Sequence, residues 1–283
     1  SEVVAYSGTV AAASARALLT TVDAATVTAS FDVATSVASI VSVSNATPAV
    51  AGSTIALTST TDTLTGGAGA DTFNGVIAAQ GGDGSTALAG DTINGGDGID
   101  TMIISATGLT TADYSAAAIT TTGIEKLYLS NFDTNTTQGD THTIDASLMT
   151  GLTTVGLSAS GANGDTDFTN LKNIVDAEMS NGSADLSVAY QATVVAGTTD
   201  TQNLAMSNQT AGNFTAASVE TVAITSNTLA NTLTTLTADS ATKITMSGAV
   251  KLTVTDEISA TVANIATIDA SGMTAAVSLV NNN

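Results

Sequence analysis

Gly66-Gly67-Ala68-Gly69-Ala70-Asp71-Thr72-Phe73-Asn74 returns further on as Gly95-Gly96-Asp97-Gly98-Ile99-Asp100-Thr101-Met102-Ile103. Both stretches fit the nonapeptide G-G-x-G-x-D-x-U-x, in which U is a large apolar residue, and repetition of this kind marks stacked β coils. Each copy follows a half-match nine positions earlier. Asp62 and Leu64 precede Asp71 and Phe73, and Asp91 and Ile93 precede Asp100 and Met102. Between the two full copies lies a degenerate third, Gly81-Gly82-Asp83-Gly84, whose sixth position is Thr86.

The pattern has a chemical reading. Glycine permits backbone angles that turn carbonyl oxygens inward, Asp adds a carboxylate, and calcium takes six to eight such hard oxygens. The D-x-U-x that follows supplies a strand with its apolar residue in the coil interior. One nonapeptide is half a cage, so stacked turns must share an ion. The candidate ligands are Asp62, Gly67, Gly69, Asp71, Gly82, Asp83, Gly84, Asp91, Gly96, Gly98 and Asp100. Isolated Gly-Asp clusters are usually tight turns. A spacing of nine between successive Asp residues, found twice, argues against turns alone. Asp133, Asn135 and Asp140, and separately Asn163, Asp165 and Asp167, also alternate oxygen ligands and are weaker candidates, which solvated loops explain equally well.

Outward from these turns, apolar-x-apolar triplets recur: Leu127-Tyr128-Leu129, Val155-Gly156-Leu157, Leu186-Ser187-Val188, Leu204-Ala205-Met206, Val222-Ala223-Ile224, Ile244-Thr245-Met246 and Leu252-Thr253-Val254, with Ile265 to Ile268 continuing the series. From Leu186 onward the steps to Leu204, Val222 and Ile244 are 18, 18 and 22 residues. A unit of about twenty residues with one short alternating strand predicts a coil that buries its inward row on its neighbours. A β-sandwich is the alternative, since its strands also recur at short intervals. The phrase Gly123-Ile124-Glu125, echoed by Ser218-Val219-Glu220, favours repeated units over merely repeated strands.

The expected fold is therefore mainly β, a parallel β-solenoid with a short α-helical N-terminal segment. Residues 1–48 are Ala-rich, with Ala15, Leu18 and Leu19, and then Val33, Val37 and Ile40, at helical spacing. Pro48, the one proline, and Gly52 mark a linker. Three segments follow: 1–48 helical, 49–106 the nonapeptide region and 107–283 the solenoid repeats.

Composition narrows the function. Five Lys and Arg face 25 Asp and Glu, a net charge of −20, and 20 of the acids are Asp. Arg16, Lys126, Lys172, Lys243 and Lys251 stand singly, so no cationic patch exists for nucleic acid or for an anionic membrane surface. With 43% hydrophobic residues the chain is too apolar for a disordered acidic tail, yet only 3% are aromatic, so its core is thin. Cysteine is absent. No run reaches the roughly 18 apolar residues of a membrane span, and no secretory leader is read at the start.

The chain resembles the repeats-in-toxin family, and more narrowly its bacterial surface-layer proteins. Beyond the nonapeptides, the likeness rests on Gly52-Ser53-Thr54-Ile55-Ala56-Leu57-Thr58 leading into Thr61-Asp62-Thr63-Leu64-Thr65-Gly66, on Ser218-Val219-Glu220-Thr221-Val222 followed by Ala241-Thr242-Lys243-Ile244, and on Ile268-Asp269-Ala270-Ser271-Gly272-Met273. The resemblance covers about residues 50–280. It implies Ca2+ as the bound cofactor, type I secretion, an extracellular location at the cell surface, and self-association into a lattice or filament. Attachment to lipopolysaccharide would run through regions not in this chain. An adhesin or other extracellular interaction module is the alternative within the same resemblance.

Enzymatic readings find little footing. An H-E-x-x-H zinc site needs two histidines, and His142 is the one histidine, expected on a strand surface. No thiol nucleophile exists, and five scattered cations cannot neutralise a polyanionic substrate. No carboxylate pair stands out for glycoside hydrolysis. The chain is expected not to be an enzyme.

Overall fold

Most strands of this chain are short runs in which Thr, Ser or a charged residue alternates with Val, Ile, Leu, Met or Phe. Such a run presents one apolar and one polar face. In the computed structural model, which describes residues 50–78, 84–107, 114–116, 118–132, 141–260 and 265–280, these runs wind into a parallel β-solenoid. Ten strands form the longest sheet, from Thr54–Ala56 through Thr72–Ile77, Thr101–Ala106, Lys126–Asn131, Thr154–Ser158, Asp176–Ser180, Thr201–Ser207, Thr221–Asn227 and Lys243–Gly248 to Thr267–Met273.

The other side of the coils carries two further sheets. Three strands, Thr63–Thr65, Thr92–Asn94 and Thr120–Thr122, line the first coils. Eight strands, from Tyr114–Ser115 and Thr141–Asp145 to Leu252–Ser259 and Val277–Leu279, line the rest. Every strand pairing between them is parallel, which rules out the antiparallel sandwich.

Register makes the core a set of columns. Ile55, Phe73, Met102, Leu127, Val155, Ala177, Leu204, Ile224 and Met246 lie directly on one another in the longest sheet. Across the coil, Leu186, Phe214, Leu236 and Ile258 form a facing column. Among the described residues Phe73, Phe168 and Phe214 are the buried phenylalanines, and the remaining apolar core is aliphatic or Met. The interior is thus thin, filled mostly by aliphatic side chains with a few Phe rings set among them.

Coil length varies while register holds. Thr54 pairs with Thr72, Thr72 with Thr101, Thr101 with Lys126 and Thr221 with Lys243, steps of 18, 29, 25 and 22 residues. The nine-residue spacing of the Asp residues is thus half of the shortest coil. The step of 18 between Leu186 and Leu204 needs correction, because Leu186 lies in the eight-stranded sheet and Leu204 in the ten-stranded one. Leu204 stacks on Ile224, and Val222 stacks on Gln202. Both sides of a coil face one core and carry the same apolar-x-apolar texture, so triplet spacing alone confuses half a coil with a whole one.

Two further expectations meet the structure here. The helical segment at 1–48 lies outside the described residues; among those described, the helical element is a single 3-10 turn at Ala146–Leu148. His142 is not on the surface. It points inward from Thr141–Asp145, fully buried, with Asn131 Nδ2 at 2.9 Å from its Nδ1. No helix among the described residues is long and apolar enough to cross a membrane.

Phe168 is fully buried, whereas Phe132 is half exposed. Truncation of Phe168 to Ala should cost about 3–5 kcal/mol through lost burial and the cavity left behind. Phe132→Ala should leave the denaturant midpoint nearly unchanged. Urea unfolding of the two variants beside the parent checks this.

Candidate metal centre

The two nonapeptide turns lie on one another. Gly66 donates its N–H to the Asn94 carbonyl at 2.8 Å, Gly95 to Thr122 at 2.8 Å, and Asp97 to Gly67 at 3.0 Å. Glycine is required by this approach: a Cβ at Gly96 or Gly98 would overlap the carbonyl of Gly67 or Gly69, and both residues have positive φ, 100° and 131°. Gly67 and Gly96, and Gly69 and Gly98, are therefore brought together, with their backbones in contact between adjoining coils.

The four Asp residues sort into two corners. Asp62 and Asp91 precede the strands of the three-stranded sheet, and Asp71 and Asp100 precede those of the long sheet. All four are buried. In each corner the carboxylate of one coil accepts the backbone N–H of the Asp below it: Asp62 N–H to Asp91 Oδ1 at 2.9 Å, and Asp71 N–H to Asp100 Oδ1 at 2.7 Å. The long-sheet column extends both ways. Ser53 donates its N–H to Asp71 Oδ1, and Asp100 donates its own to Glu125 Oε2 at 2.7 Å.

Occupancy of the second oxygen distinguishes the four. Asp62 accepts from Thr58 N–H and Oγ1 at 2.7 and 2.8 Å, Asp91 Oδ2 accepts from Leu88 N–H at 2.7 Å, and Asp71 Oδ2 accepts from Gly67 N–H at 2.5 Å. Asp100 Oδ2 is buried and has no hydrogen-bond partner. It rests against Gly95, where a Cβ would overlap it. A charged oxygen kept from water without a donor is costly, and a cation is one way to satisfy it.

The remaining candidates separate from this centre. Gly82 and Asp83 lie outside the described residues, as do Asp133, Asn135 and Asp140. Gly84 is exposed in a loop that folds back on its own strand, where Thr86 and Ala87 donate to the Val76 carbonyl and Thr86 Oγ1 accepts from Val76 N–H. Thr86, which stands where the nonapeptide has Asp, therefore bonds to a strand of its own coil and not to a neighbouring turn. Asp165 Oδ1 accepts Asp185 N–H at 3.1 Å, and Asp185 in turn accepts from Asn213, so these acids are rungs of a ladder along the eight-stranded sheet. Among the described residues no three His, Cys, Asp or Glu side chains gather as a metal cluster. A cation at Asp100 would draw on glycine carbonyls as well as carboxylate, a donor set that suits a hard ion.

Sequence reading gave no role to Glu125. The signal was the phrase Gly123-Ile124-Glu125, in which Gly123 has φ 62° and Ile124 is buried, so that Glu125 is set on the corner above Asp100. No family model, curated protein or solved structure matches the chain in comparisons with each.

Electrostatics follow the hydrogen bonds. Backbone N–H groups of Ser53 and Gly67 hold the Asp71 carboxyl below the usual carboxylate range. Burial, with the charges of Asp71 and Asp97 adding to it, pushes the Asp100 carboxyl up despite the Asp71 N–H. Asp71 thus contributes stability above the ordinary carboxylate range that is lost as pH falls through its depressed pKa. Asp100 does the reverse: the fold holds its proton more tightly, so its contribution is greatest at low pH and declines as pH rises through the raised pKa. In chelator, Asp100→Asn should raise the melting temperature at neutral pH and flatten its decline above the carboxylate range, whereas Asp71→Asn should lower it. Thermal unfolding across a pH series tests both signs.

Proposed function

We propose that this chain is a structural component of a calcium-dependent extracellular assembly, a bacterial surface-layer lattice, and that it is not an enzyme. The observation that carries the reading is the Asp100 corner, where a buried carboxylate oxygen without a donor rests against Gly95, beside stacked glycine turns. Asp100 and the carbonyls of the glycine turns are the ligands of choice for Ca2+, with Asp71 stacked beside them. An ion there would supply the missing charge and tie one coil to the next.

Calcium would act as a folding switch. A chain of net charge −20 repels itself, and an ion that binds only the folded coils turns binding energy into folding energy. Such a chain would stay loose where calcium is scarce and fold outside the cell, in keeping with export by a type I route. The burial of His142 weighs against catalysis, because it removes the one imidazole from solvent. Lipopolysaccharide attachment would belong to segments outside this sequence.

Calcium titrated from chelator to millimolar concentration, followed by circular dichroism, light scattering and negative-stain imaging, tests the proposal. The expected result is a gain of β signal with calcium and the growth of ordered sheets or filaments. Equal β content in chelator and in calcium would refute the switch. A calcium-folded chain that remains monomeric would replace the lattice with the adhesin reading.

A further inference from the structure

The two nonapeptide turns share a sequence pattern and a place in the coil, yet one hydrogen bond differs between them. In each, the second carboxylate oxygen rests against the first glycine: a Cβ at Gly66 would stand 2.4 Å from Asp71 Oδ2, and a Cβ at Gly95 would stand 2.4 Å from Asp100 Oδ2. The N–H of the second glycine then takes a different acceptor in each copy. Gly67 donates to Asp71 Oδ2 at 2.5 Å, which satisfies that oxygen. Gly96 donates instead to Asn94 Oδ1 at 3.2 Å, and Asp100 Oδ2, on a fully buried residue, is left without a partner.

The residue before each turn supplies the reason. Thr65 and Asn94 are paired in the three-stranded sheet and stand immediately before Gly66 and Gly95. An Asn side chain accepts readily from the N–H two residues on, a bond that Thr makes more weakly. Gly96 lies in the left-handed region at φ 100° and Gly67 does not, so the backbone of the second turn is set for the amide rather than for the carboxylate. From the coil above, Gly123 closes over this arrangement, and a Cβ there would stand 3.6 Å from Asn94 Oδ1. A carboxylate is the stronger acceptor, so a turn that gives its N–H to an amide and leaves a buried carboxylate oxygen bare forgoes the better bond. A cation on that oxygen makes good the loss.

We infer that Asn94 is the positioning residue of the calcium site: by holding the Gly96 N–H it keeps Asp100 Oδ2 open to the ion. The Asp71 turn has Thr65 in that place and closes on its own N–H. Asn94 acts through Gly96 and need not touch the ion. The inference rests on the calcium reading of the Asp100 corner and explains why, of two turns with one motif, the second carries the site.

Calcium titration calorimetry on the full chain tests this, with Asp100→Asn identifying the class of sites that belongs to the corner. Asn94→Thr, which gives the second turn the residue of the first, should weaken that class about tenfold, the scale of one charge-assisted hydrogen bond that the ion must displace. Asn94→Asp keeps an acceptor for the Gly96 N–H and should restore most of the lost affinity. Circular dichroism in chelator separates positioning from a merely structural role: a turn closed on itself needs no ion, so Asn94→Thr should show at least the parent's β signal there. Parental affinity in Asn94→Thr, equal losses in Asn94→Thr and Asn94→Asp, or a loss of β signal in chelator alongside the loss of affinity would each overturn the role of Asn94 and leave the site. A parent that binds no calcium, or an Asp100→Asn variant that loses no class of sites, would overturn the calcium reading itself and the inference with it.

Discussion

Every coil of this solenoid must leave one sheet and enter another, and at several corners among the described residues a backbone N–H turns to a side chain of the neighbouring coil instead of the strand ladder. An N–H buried there without an acceptor would cost more than a surface turn can return. The chain meets this need from the coil above. Side-chain oxygens of Asp91, Asp100, Glu125, Glu220 and Asn231 accept the orphaned N–H of Asp62, Asp71, Asp100, Asp200 and Gln209, and Asp185 does the same for Asn213 from the coil below. Acidic residues in this protein are therefore first a structural device, and the metal reading is built on the positions where that device leaves an oxygen over.

Dependence on corners explains the division of labour in the sequence. Strand interiors are mostly aliphatic residues with a few Phe and Met, stacked in columns that need register and volume. Corner residues are specific: Gly96 and Gly98 because a side chain would strike the coil below, and Asn181 and Asn208 because they adopt φ of 54° and 58° and join, Asn208 Nδ2 donating to Asn181 Oδ1 at 3.1 Å. Asparagine tolerates that conformation better than other side chains. A net charge of −20 then follows from a fold that spends carboxylates at its turns and has few Lys or Arg to oppose them.

Much of this was legible from residues alone. The nonapeptides and the recurring apolar-x-apolar triplets indicate stacked coils, and Phe73, Ile93 and Met102, read as inward-facing, are fully buried. What was not legible depends on the neighbour in the stack. Nothing near Glu125 in the chain reveals that it reaches Asp100, and nothing near Leu186 tells which side of the coil it lies on. Thr86 in place of an Asp was visible as a defect in the third copy, but its strand-facing hydrogen bonds were not. His142 sits in a Thr-rich run that looks exposed, yet it is buried and its Nδ1 meets Asn131 on another strand.

Steps of 18 to 29 residues between paired strands leave the apolar column of the long sheet stacked from Ile55 to Met246, so added length is taken up between strands. Growth of the chain by insertion is thereby uncoupled from the integrity of its core. A lineage built on this scaffold can change the relief, charge and reach of its outer face coil by coil, with the apolar columns left in place, which gives surface variation a route that costs the interior almost nothing.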